Sequence, residues 1–341
     1  MNKTKIIATL GPATDPEPVL EKMLLAGMDL ARLNMSHGYG ALHAARIEQA
    51  RFIAQKLNKR LEFLIDLQGP KIRLGKFVNQ KISLQVNQPL ILDPDIDPAG
   101  GTNQAVYVDY ANLYRDLTLK DILLLDDGKI ILEVEAICEN KIHCIAKNNG
   151  TLSDHKGINK LDGGLSAPSI TDKDEQDLLL MSQLDIDYCG LSFVKNSSEI
   201  QHLRNLIKKT KTNIKIFAKI ETKQAVSNLE EIIQAADGIM VARGDLGVEL
   251  GLSKLPVLQK HILQVANTFD KPAIVATQMM YSMINSPSPT RAEVMDVANA
   301  ILDGADGITL SEETAIGEHP ALVVRYVQDI CQQTEKLLLR V

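Results

Sequence analysis

The fold is decided by residues 214–249, which begin as Ile214-Lys-Ile-Phe-Ala-Lys-Ile-Glu-Thr222 and end as Gly238-Ile-Met-Val-Ala-Arg-Gly-Asp-Leu-Gly-Val-Glu249. Two apolar runs, 214–218 and 238–242, are each short enough to form a buried strand. Between them, residues 223–236 carry apolar side chains at helical spacing. The stretch therefore predicts a strand, a helix and a second strand, the unit from which parallel α/β sheets are built.

Charged side chains follow both of these strands. Lys219 and Glu221 come after the first, and Arg243 and Asp245 come after the second. Ligands of parallel α/β folds bind at the carboxyl ends of the strands. Glu221 and Asp245 would suit one Mg²⁺, which usually takes one or two protein carboxylates besides water and substrate oxygens. The alternative is a set of solvated strand ends or a structural ion pair, which four such charges together make less favoured.

The composition is typical of a soluble globular enzyme. The 341 residues are 45% hydrophobic and 23% charged, enough for one large and one smaller domain. A net charge of −6 gives no reason to expect nucleic acid or an anionic membrane as a partner. The four cysteines form no metal or redox motif and are expected to be reduced thiols. Because the sequence has neither a signal-peptide core nor an apolar run of transmembrane length, we expect a cytoplasmic protein.

The remaining chain alternates strands and helices except in one long segment. Residues 71–164 contain only period-2 runs and turns, which predicts an all-β insertion. The other residues number about 250, the size of a (β/α)₈ TIM barrel. An open doubly wound sheet is the competing architecture, but it rarely shows eight repeats without a glycine-rich dinucleotide loop. We predict an α/β barrel domain from 1–70 and 165–341, interrupted after its third strand by a β-rich domain of 71–164.

The predicted element bounds follow from the same patterns. Asp15 is placed to cap the first helix, and Gly27 to end it. The strands are predicted at 4–10, 28–35, 61–68, 188–194, 214–221, 238–242, 272–278 and 307–311, and the helices at 16–26, 41–57, 174–184, 198–209, 223–236, 254–269, 291–302 and 320–338.

A barrel would gather the strand ends into one mouth rich in cations, carboxylates and small hydroxyls. Such a mouth suits phosphoryl transfer, in which positioning and charge neutralisation supply most of the catalysis. No Cys-His or Ser-His-Asp pattern indicates a covalent nucleophile. These residues alone predict metal-dependent chemistry on a small phosphorylated or α-keto acid. They are Arg32, Asn34, Ser36, Asp66, Arg73, Lys219, Glu221, Arg243, Gly244, Asp245, Thr277, Ser311 and Glu313.

Ordered sequence motifs occur along the whole chain. The motifs are Thr4-Lys-Ile-Ile-Ala-Thr-Leu-Gly-Pro-Ala-Thr14, Ala31-Arg-Leu-Asn-Met-Ser-His-Gly38, Asp66-Leu-Gln-Gly-Pro-Lys-Ile-Arg73, Ala218-Lys-Ile-Glu-Thr222, Gly238-Ile-Met-Val-Ala-Arg-Gly-Asp-Leu-Gly247, Ala276-Thr-Gln-Met279, Pro289-Thr-Arg-Ala-Glu293, Asp296-Val-Ala-Asn-Ala-Ile-Leu-Asp-Gly-Ala-Asp306 and Leu310-Ser-Glu-Glu-Thr314. These motifs resemble those of the pyruvate kinase family. This resemblance implies a barrel whose inserted β domain closes over a nucleotide, and transfer of a phosphoryl group from phosphoenolpyruvate to ADP to give pyruvate and ATP in glycolysis.

The resemblance also implies roles on the substrate side. Glu221 and Asp245 would bind Mg²⁺ or Mn²⁺, which bridges the carboxylate and the enolic oxygen of phosphoenolpyruvate. Lys219 would neutralise the transferred phosphoryl group and the enolate that remains. The backbone amides of Gly244 and Asp245, together with Thr277, would hold the substrate carboxylate.

Further roles concern the phosphates and the proton. Arg32 and Arg73 would contact phosphoryl oxygens, as forked guanidinium groups can. Thr277 and Ser311 would lie on the proton path from enolpyruvate to pyruvate. Lys156 would reach the ADP phosphates from the inserted domain, and Asn34 and His37 would flank the nucleotide.

Four positions depart from the usual family pattern. Potassium-dependent members hold K⁺ near the equivalents of Asn34, Ser36, Asp66 and the carbonyl at position 67, with Thr at 67 and Glu at 71. This chain has Leu67 and Lys71, so we expect K⁺ independence, with the Lys71 ammonium in place of the cation; the alternative is a lysine that points to solvent. Glu312 replaces a usual Gly and is expected to affect the rate, and Lys195 replaces a common Arg.

The chain ends at Val341, just after the last predicted helix. The resemblance therefore predicts that the family's C-terminal effector domain is absent, with hyperbolic kinetics and either a monomer or a homodimer through barrel helices. Two other functions stay open. A lyase acting on phosphoenolpyruvate or pyruvate would need no lid for ADP, and a truncated non-catalytic paralogue with a binding or regulatory role would be marked by degenerate site residues.

Overall fold

Parallel strands close into the predicted eight-stranded barrel in the computed structural model, which describes residues 4–338. Around the barrel their order is β1-β16-β15-β14-β13-β12-β3-β2. The strands in chain order are β1 (Lys5–Thr9), β2 (Leu30–Asn34), β3 (Glu62–Asp66), β4 (Lys81–Leu84), β5 (Pro89–Asp93), β6 (Ala105–Tyr107), β7 (Ile122–Leu125), β8 (Ile130–Cys138), β9 (Lys141–Ala146), β10 (Gly150–Ser153), β11 (Ile158–Lys160), β12 (Tyr188–Leu191), β13 (Lys215–Ile220), β14 (Gly238–Ala242), β15 (Ala273–Ala276) and β16 (Gly307–Leu310).

Helices follow the barrel strands, as the alternation predicts. Among the described residues, no helix has both the length and the apolar character needed to span a membrane. The helices are α1 (Glu17–Ala26), α2 (Gly40–Lys56), α3 (Asp172–Met181), α4 (Ser197–Lys209), α5 (Lys223–Ser227), α6 (Leu229–Ala235), α7 (Arg243–Leu250), α8 (Leu255–Thr268), α9 (Arg291–Leu302), α10 (Glu312–Ala315) and α11 (Pro320–Leu338).

The side chains inside the barrel are apolar in the middle of the strands and charged near the carboxyl ends of the strands. Because side chains alternate across a strand, every second residue faces inward. Leu30, Leu64 and Phe217 belong to a small apolar cluster that is separate from the main core between strands and helices. Two residues further along the same strands come Arg32, Asp66 and Lys219. The alternation therefore carries these three charged side chains to the carboxyl ends of β2, β3 and β13.

The inserted residues 71–164, which we call the lid domain, form sheets of their own. Six strands pair in the order β11-β7-β8-β9-β5-β6, and β10 pairs with β4. Leu90, Leu123, Leu132 and Ile142 lie in a buried core that is distinct from the barrel core. Since β3 and β12 are neighbours in the barrel, the chain leaves and re-enters between adjacent strands.

Two element predictions differ from the structure beside β14. The predicted helix 223–236 is two helices, α5 and α6, which meet at Asn228. Residues 243–250 form helix α7 directly after the strand. Asp245 therefore lies in the first turn of a helix, where the aligned peptide dipoles favour a negative charge.

The predicted helix cap at Asp15 is wrong. Pro16 occupies the capping position of α1, and no side chain caps the helix there. The Asp15 carboxylate instead accepts two hydrogen bonds from Arg46 of α2, from Nε at 2.6 Å and from Nη2 at 2.9 Å. The first two helices are thus tied by an ion pair in which the arginine is nearly buried and the aspartate is half-exposed.

We expect Asp15→Ala to destabilise the protein by about 1 kcal/mol, because hydrogen bonds to a charged group contribute about 1.5–3 kcal/mol and the half-exposed position of Asp15 reduces that contribution. Because the loss comes from the Arg46 pair, the same change in an Arg46→Ala background should cost close to nothing. Urea unfolding of the wild type, both single variants and the double variant measures this coupling. Equal costs in the two backgrounds would show that Asp15 acts without Arg46.

Candidate active site

A buried ion network occupies the centre of the barrel mouth. Lys219 Nζ lies 3.1 Å from Asp66 Oδ1, 3.0 Å from Glu221 Oε1 and 2.7 Å from Ser192 Oγ. Arg32 donates to Asp66 Oδ2 from Nε at 2.8 Å and from Nη2 at 2.5 Å. The side chains of Asp66 and Glu221 are only 2% exposed. Four predicted site residues therefore form one connected network.

The network keeps its charges despite burial. Burial alone would lower the pKa of Lys219, but the carboxylates of Asp66 and Glu221 outweigh it and raise this pKa. Burial alone would raise the pKa of Asp66, but Lys219 and Arg32 hold it below its usual value. A buried ammonium and a buried carboxylate are thus both ionised because each has close partners of opposite charge.

Glu221 and Asp245 lie close enough for their charges to interact. Burial raises the pKa of Glu221, and the negative charge of Asp245 adds to that effect although Lys219 opposes it. In the described part of the chain, no group of three or more His, Cys, Asp or Glu side chains is arranged to hold a metal. Two carboxylates whose charges interact still fit Mg²⁺ or Mn²⁺, because such ions often take most of their ligands from water and substrate.

Lys71 approaches this carboxylate pair from the start of the lid domain. Its Nζ lies 3.2 Å from Asp245 Oδ1, and both side chains are about a quarter exposed. In the predicted monovalent-cation region, the oxygens of Asp66 and Leu67 already have donors. Asp66 accepts from Arg32 and Lys219, and the Leu67 carbonyl accepts from Ser192 at 2.6 Å.

Helix α7 places Gly244 and Asp245 opposite Thr277. A Cβ on Gly244 would lie 3.6 Å from Thr277 Cγ2, so the two residues are in contact distance. Thr277 has a left-handed backbone with φ of 76°, an unusual conformation for a β-branched residue. Arg243 fixes that loop, because its Nη2 donates to the Thr277 carbonyl at 2.7 Å and its Nη1 to Asp296 at 2.8 Å.

The remaining predicted residues lie around the mouth. Ser311 directly follows β16, and its amide donates to Glu313 Oε2 at 2.7 Å, while Glu312 is exposed. Asn34 Oδ1 accepts from the Ser36 amide at 3.1 Å.

His37 is exposed, and its pKa is lowered first by partial burial and then by Arg73, Arg32 and Lys71. His37 therefore shares the mouth with three cations. Lys195 Nζ donates to the Ala167 carbonyl. Ala167 belongs to residues 162–167, the segment by which the chain returns from the lid domain to the barrel and which we call the lid return.

Two predicted cations project into the lid domain rather than into the network. Arg73 Nη1 donates to the His155 carbonyl at 2.9 Å. Lys156 Nζ lies 2.9 Å from Asp126 Oδ1. Both side chains remain partly exposed.

Several residues at the site escaped the sequence patterns. Ser192 bridges Lys219 and the Leu67 carbonyl, and the Phe193 amide donates to Glu221 Oε2 at 2.7 Å. Glu249 is a buried carboxylate one turn after Asp245. Ser192 could have been found from the alternation of side chains along β12, because it lies two residues after Gly190 and so on the same, inward side. Nothing in the sequence pattern singled out Glu249.

The fold and the site define a (β/α)₈-barrel protein with a lid domain and a mouth of paired cations and carboxylates. A family model described as the pyruvate kinase barrel domain matches residues 1–324. The chain belongs to the pyruvate kinase family.

Relatives named pyruvate kinase match nearly the whole chain. A protein of Buchnera aphidicola from Schizaphis graminum is 48% identical over 99% of this chain and 71% of its own length. A Haemophilus influenzae protein is 44% identical over the same shares. A Thermococcus litoralis protein is 42% identical over 98% of this chain and 70% of its own length.

Glu249→Gln is expected to change stability in a pH-dependent way. Burial, with help from Asp245 and Glu221, raises the pKa of Glu249 from 4.5 to about 7. Between these values the folded state binds a proton that the unfolded chain has lost, so the wild type loses stability as pH rises. The glutamine does not titrate. The stability of the variant relative to the wild type should therefore improve by roughly 2 kcal/mol from pH 5 to pH 8.

Urea unfolding at both pH values, in buffer with a metal chelator, measures this difference. Glu48→Gln, which changes an exposed glutamate of α2, is the matched control and should show little pH dependence. If the difference between Glu249→Gln and the wild type does not change with pH, Glu249 titrates as an ordinary glutamate.

Proposed function

We propose that this chain transfers the phosphoryl group of phosphoenolpyruvate to ADP. In that reaction the bond between the enolic oxygen and phosphorus breaks, a bond between phosphorus and the terminal ADP oxygen forms, and the enolate takes a proton to become pyruvate. The observation that carries the proposal is the buried, positively charged Lys219, held at the barrel mouth between Asp66 and Glu221. A fixed cation there would stabilise negative charge on both the phosphoryl group and the enolate.

The first turn of α7 supports binding of the substrate carboxylate. The amides of Gly244 and Asp245 lie among the helix-start N–H groups that have no partner within the helix. Thr277 lies against Gly244, so its side chain would complete an anion site at this helix end. Ser311 lies at the end of β16, and we assign the proton delivered to the enolate to the Thr277–Ser311 side of the mouth.

The metal and the nucleotide would occupy the other side of the mouth. A divalent ion held by Glu221 and Asp245 would neutralise charge on the phosphoryl and enolate oxygens. Arg32 and Arg73 would bind phosphoryl oxygens from the barrel and from the lid respectively. Lys156, with Asn34 and His37, would hold the nucleotide, and its pair with Asp126 is weak enough at a partly exposed surface to exchange for a phosphate.

Lys219→Met should lower turnover by about 10²–10³-fold, the range for the loss of one group that stabilises transition-state charge. Pyruvate release from phosphoenolpyruvate, ADP and Mg²⁺ measures it. Lys215→Met is the matched control, because Lys215 is an exposed lysine at the opposite end of the same strand. It should leave turnover unchanged.

Other outcomes of this assay would indicate one of the two alternative functions, a lyase or a regulatory paralogue. Pyruvate release that does not require ADP would indicate a lyase. A folded protein that binds Mg²⁺ and releases no pyruvate would indicate a regulatory paralogue. Circular dichroism of each variant separates loss of the reaction from loss of the fold.

We also propose that turnover does not require K⁺. The ammonium of Lys71 supplies a positive charge at the mouth, 3.2 Å from Asp245. The Asp66 and Leu67 oxygens, which would bind a monovalent cation, already accept hydrogen bonds from Arg32, Lys219 and Ser192. A further cation there would have to compete with these donors.

Lys71→Glu should convert the protein to K⁺ dependence. Turnover of the wild type should change little when tetramethylammonium replaces K⁺ at constant ionic strength. Without K⁺ the variant should lose roughly tenfold or more, because a like charge then faces Asp245. Lys76→Glu, which reverses an exposed charge in the lid domain, is the control. A wild type that is inactive without K⁺ would refute this part of the proposal.

A further inference from the structure

The lid domain joins the barrel through two chain crossings, and a barrel residue with a buried carboxylate accepts a backbone hydrogen bond from each of them. The first crossing includes Gly69, whose amide donates to Asp174 Oδ1 at 3.2 Å. The second includes Asp162, whose amide donates to the backbone carbonyl of Glu249 at 2.9 Å. The side chains of Asp174 and Glu249 are both buried. Asp174 also caps its own helix, whereas Glu249 lies in the last turn of α7.

Glu249 contacts the two backbone segments that carry Glu221 and Asp245, the carboxylates that would hold the divalent ion. It lies four residues after Asp245 in α7, so the two residues share one face of that helix. Its Oε1 accepts a hydrogen bond of 2.6 Å from the amide of Lys223, two residues after Glu221. The Glu249 side chain therefore links helix α7, which carries Asp245, to the start of helix α5, which closely follows Glu221.

The lid return packs directly against the same oxygen. Gly163 has φ of 74°, and a Cβ added there would lie 2.4 Å from Glu249 Oε1. A side chain at position 163 would therefore fit only if the buried Glu249 carboxylate moved. The adjacent Gly164, with φ of 96°, has a similar backbone, but its nearest neighbour would be Lys160 Nζ at 3.7 Å. The close fit is thus specific to the position that faces Glu249.

We infer that Glu249 is a positioning residue that sets the place of the lid return relative to the two metal-binding segments. The inference rests on the proposed function and specifies which ligand depends on this contact. A nucleoside diphosphate with its divalent ion would touch both the lid domain and the barrel mouth. Its binding therefore requires the lid domain to be correctly positioned relative to the mouth. Phosphoenolpyruvate would be held mostly by barrel residues, so its binding depends less on the lid return.

Removal of the acceptor tests the role of Glu249 directly. In Glu249→Ala, half-saturation by ADP with Mg²⁺ should rise about tenfold, as expected when a hydrogen bond to a charged group is lost. Half-saturation by phosphoenolpyruvate should change much less. Glu249→Gln keeps an acceptor oxygen and should restore most of the ADP affinity. A side chain that only stabilises the fold would affect both substrates alike.

Glycine variants test the same contact from the lid side while leaving Glu249 in place. Gly163→Ala should raise half-saturation by ADP as Glu249→Ala does, because its methyl group displaces the carboxylate. Gly164→Ala imposes a similar backbone cost in open space and is the matched control. Lys223→Ala is a second control, since it removes only the exposed Lys223–Asp162 ion pair between the same segments.

Some outcomes would overturn the inference while the proposed function stands. These are an active wild type in which Glu249→Ala leaves half-saturation by ADP unchanged, or in which Gly163→Ala and Gly164→Ala behave alike. A glutamine variant as impaired as the alanine variant would show that the charge matters and not the acceptor. A wild type that is inactive with phosphoenolpyruvate and ADP would instead refute the proposed function.

Discussion

The structure of the site depends on the buried pairing of Lys219 with Asp66 and Glu221. Taking these charges out of water is costly, and the cost is offset only because each charge has close partners of opposite sign. Arg32 completes the network by donating to the oxygen of Asp66 that Lys219 does not use. Removing Lys219 would leave Glu221 without the cation that pairs with it, and removing Asp66 would leave Arg32 without its carboxylate. The network therefore fixes both the protonation states and the positions of the groups at the barrel mouth.

A closed barrel is well suited to hold such a network. Three of its members come from β2, β3 and β13, strands whose backbones are hydrogen-bonded to their neighbours along their length. The apolar layer two residues below, which includes Leu30, Leu64 and Phe217, keeps water from the lower side. The charged groups are thus desolvated from below and open to ligands only from the mouth, where a low local dielectric strengthens their effect.

Sequence patterns predicted the fold because the barrel strands are short apolar runs, whereas the helices carry apolar residues at helical spacing. The strand Gly238–Ala242 and the helices Arg291–Leu302 and Pro320–Leu338 have the predicted bounds. Helix α7 was missed because Gly244 and Gly247 lower the helix propensity of a short segment, whereas packing of Leu246 and Leu250 stabilises it in the fold.

Side-chain partners were harder to predict than elements. Lys71 and Asp245 are 174 residues apart and meet only because the lid domain leaves and re-enters between two adjacent strands. Asp15 follows a capping pattern, yet Arg46 offers it two charged donors. A local pattern states which chemistry a residue can perform. Which partner it takes depends on chain closure over long distances, and this is also why Glu249 had no signal.

The ion pairs around the mouth have a common feature that links structure to ligand exchange. Lys71 pairs with Asp245 and Lys156 with Asp126, and in each pair both partners are partly exposed. Such pairs contribute little to stability and exchange readily, in contrast to the buried pairs of Lys219. An incoming divalent ion would compete with Lys71 for Asp245, and incoming phosphates would compete with Asp126 for Lys156. The mouth therefore combines a fixed buried network, which sets the geometry, with an outer set of weak pairs that ligands of opposite charge can replace.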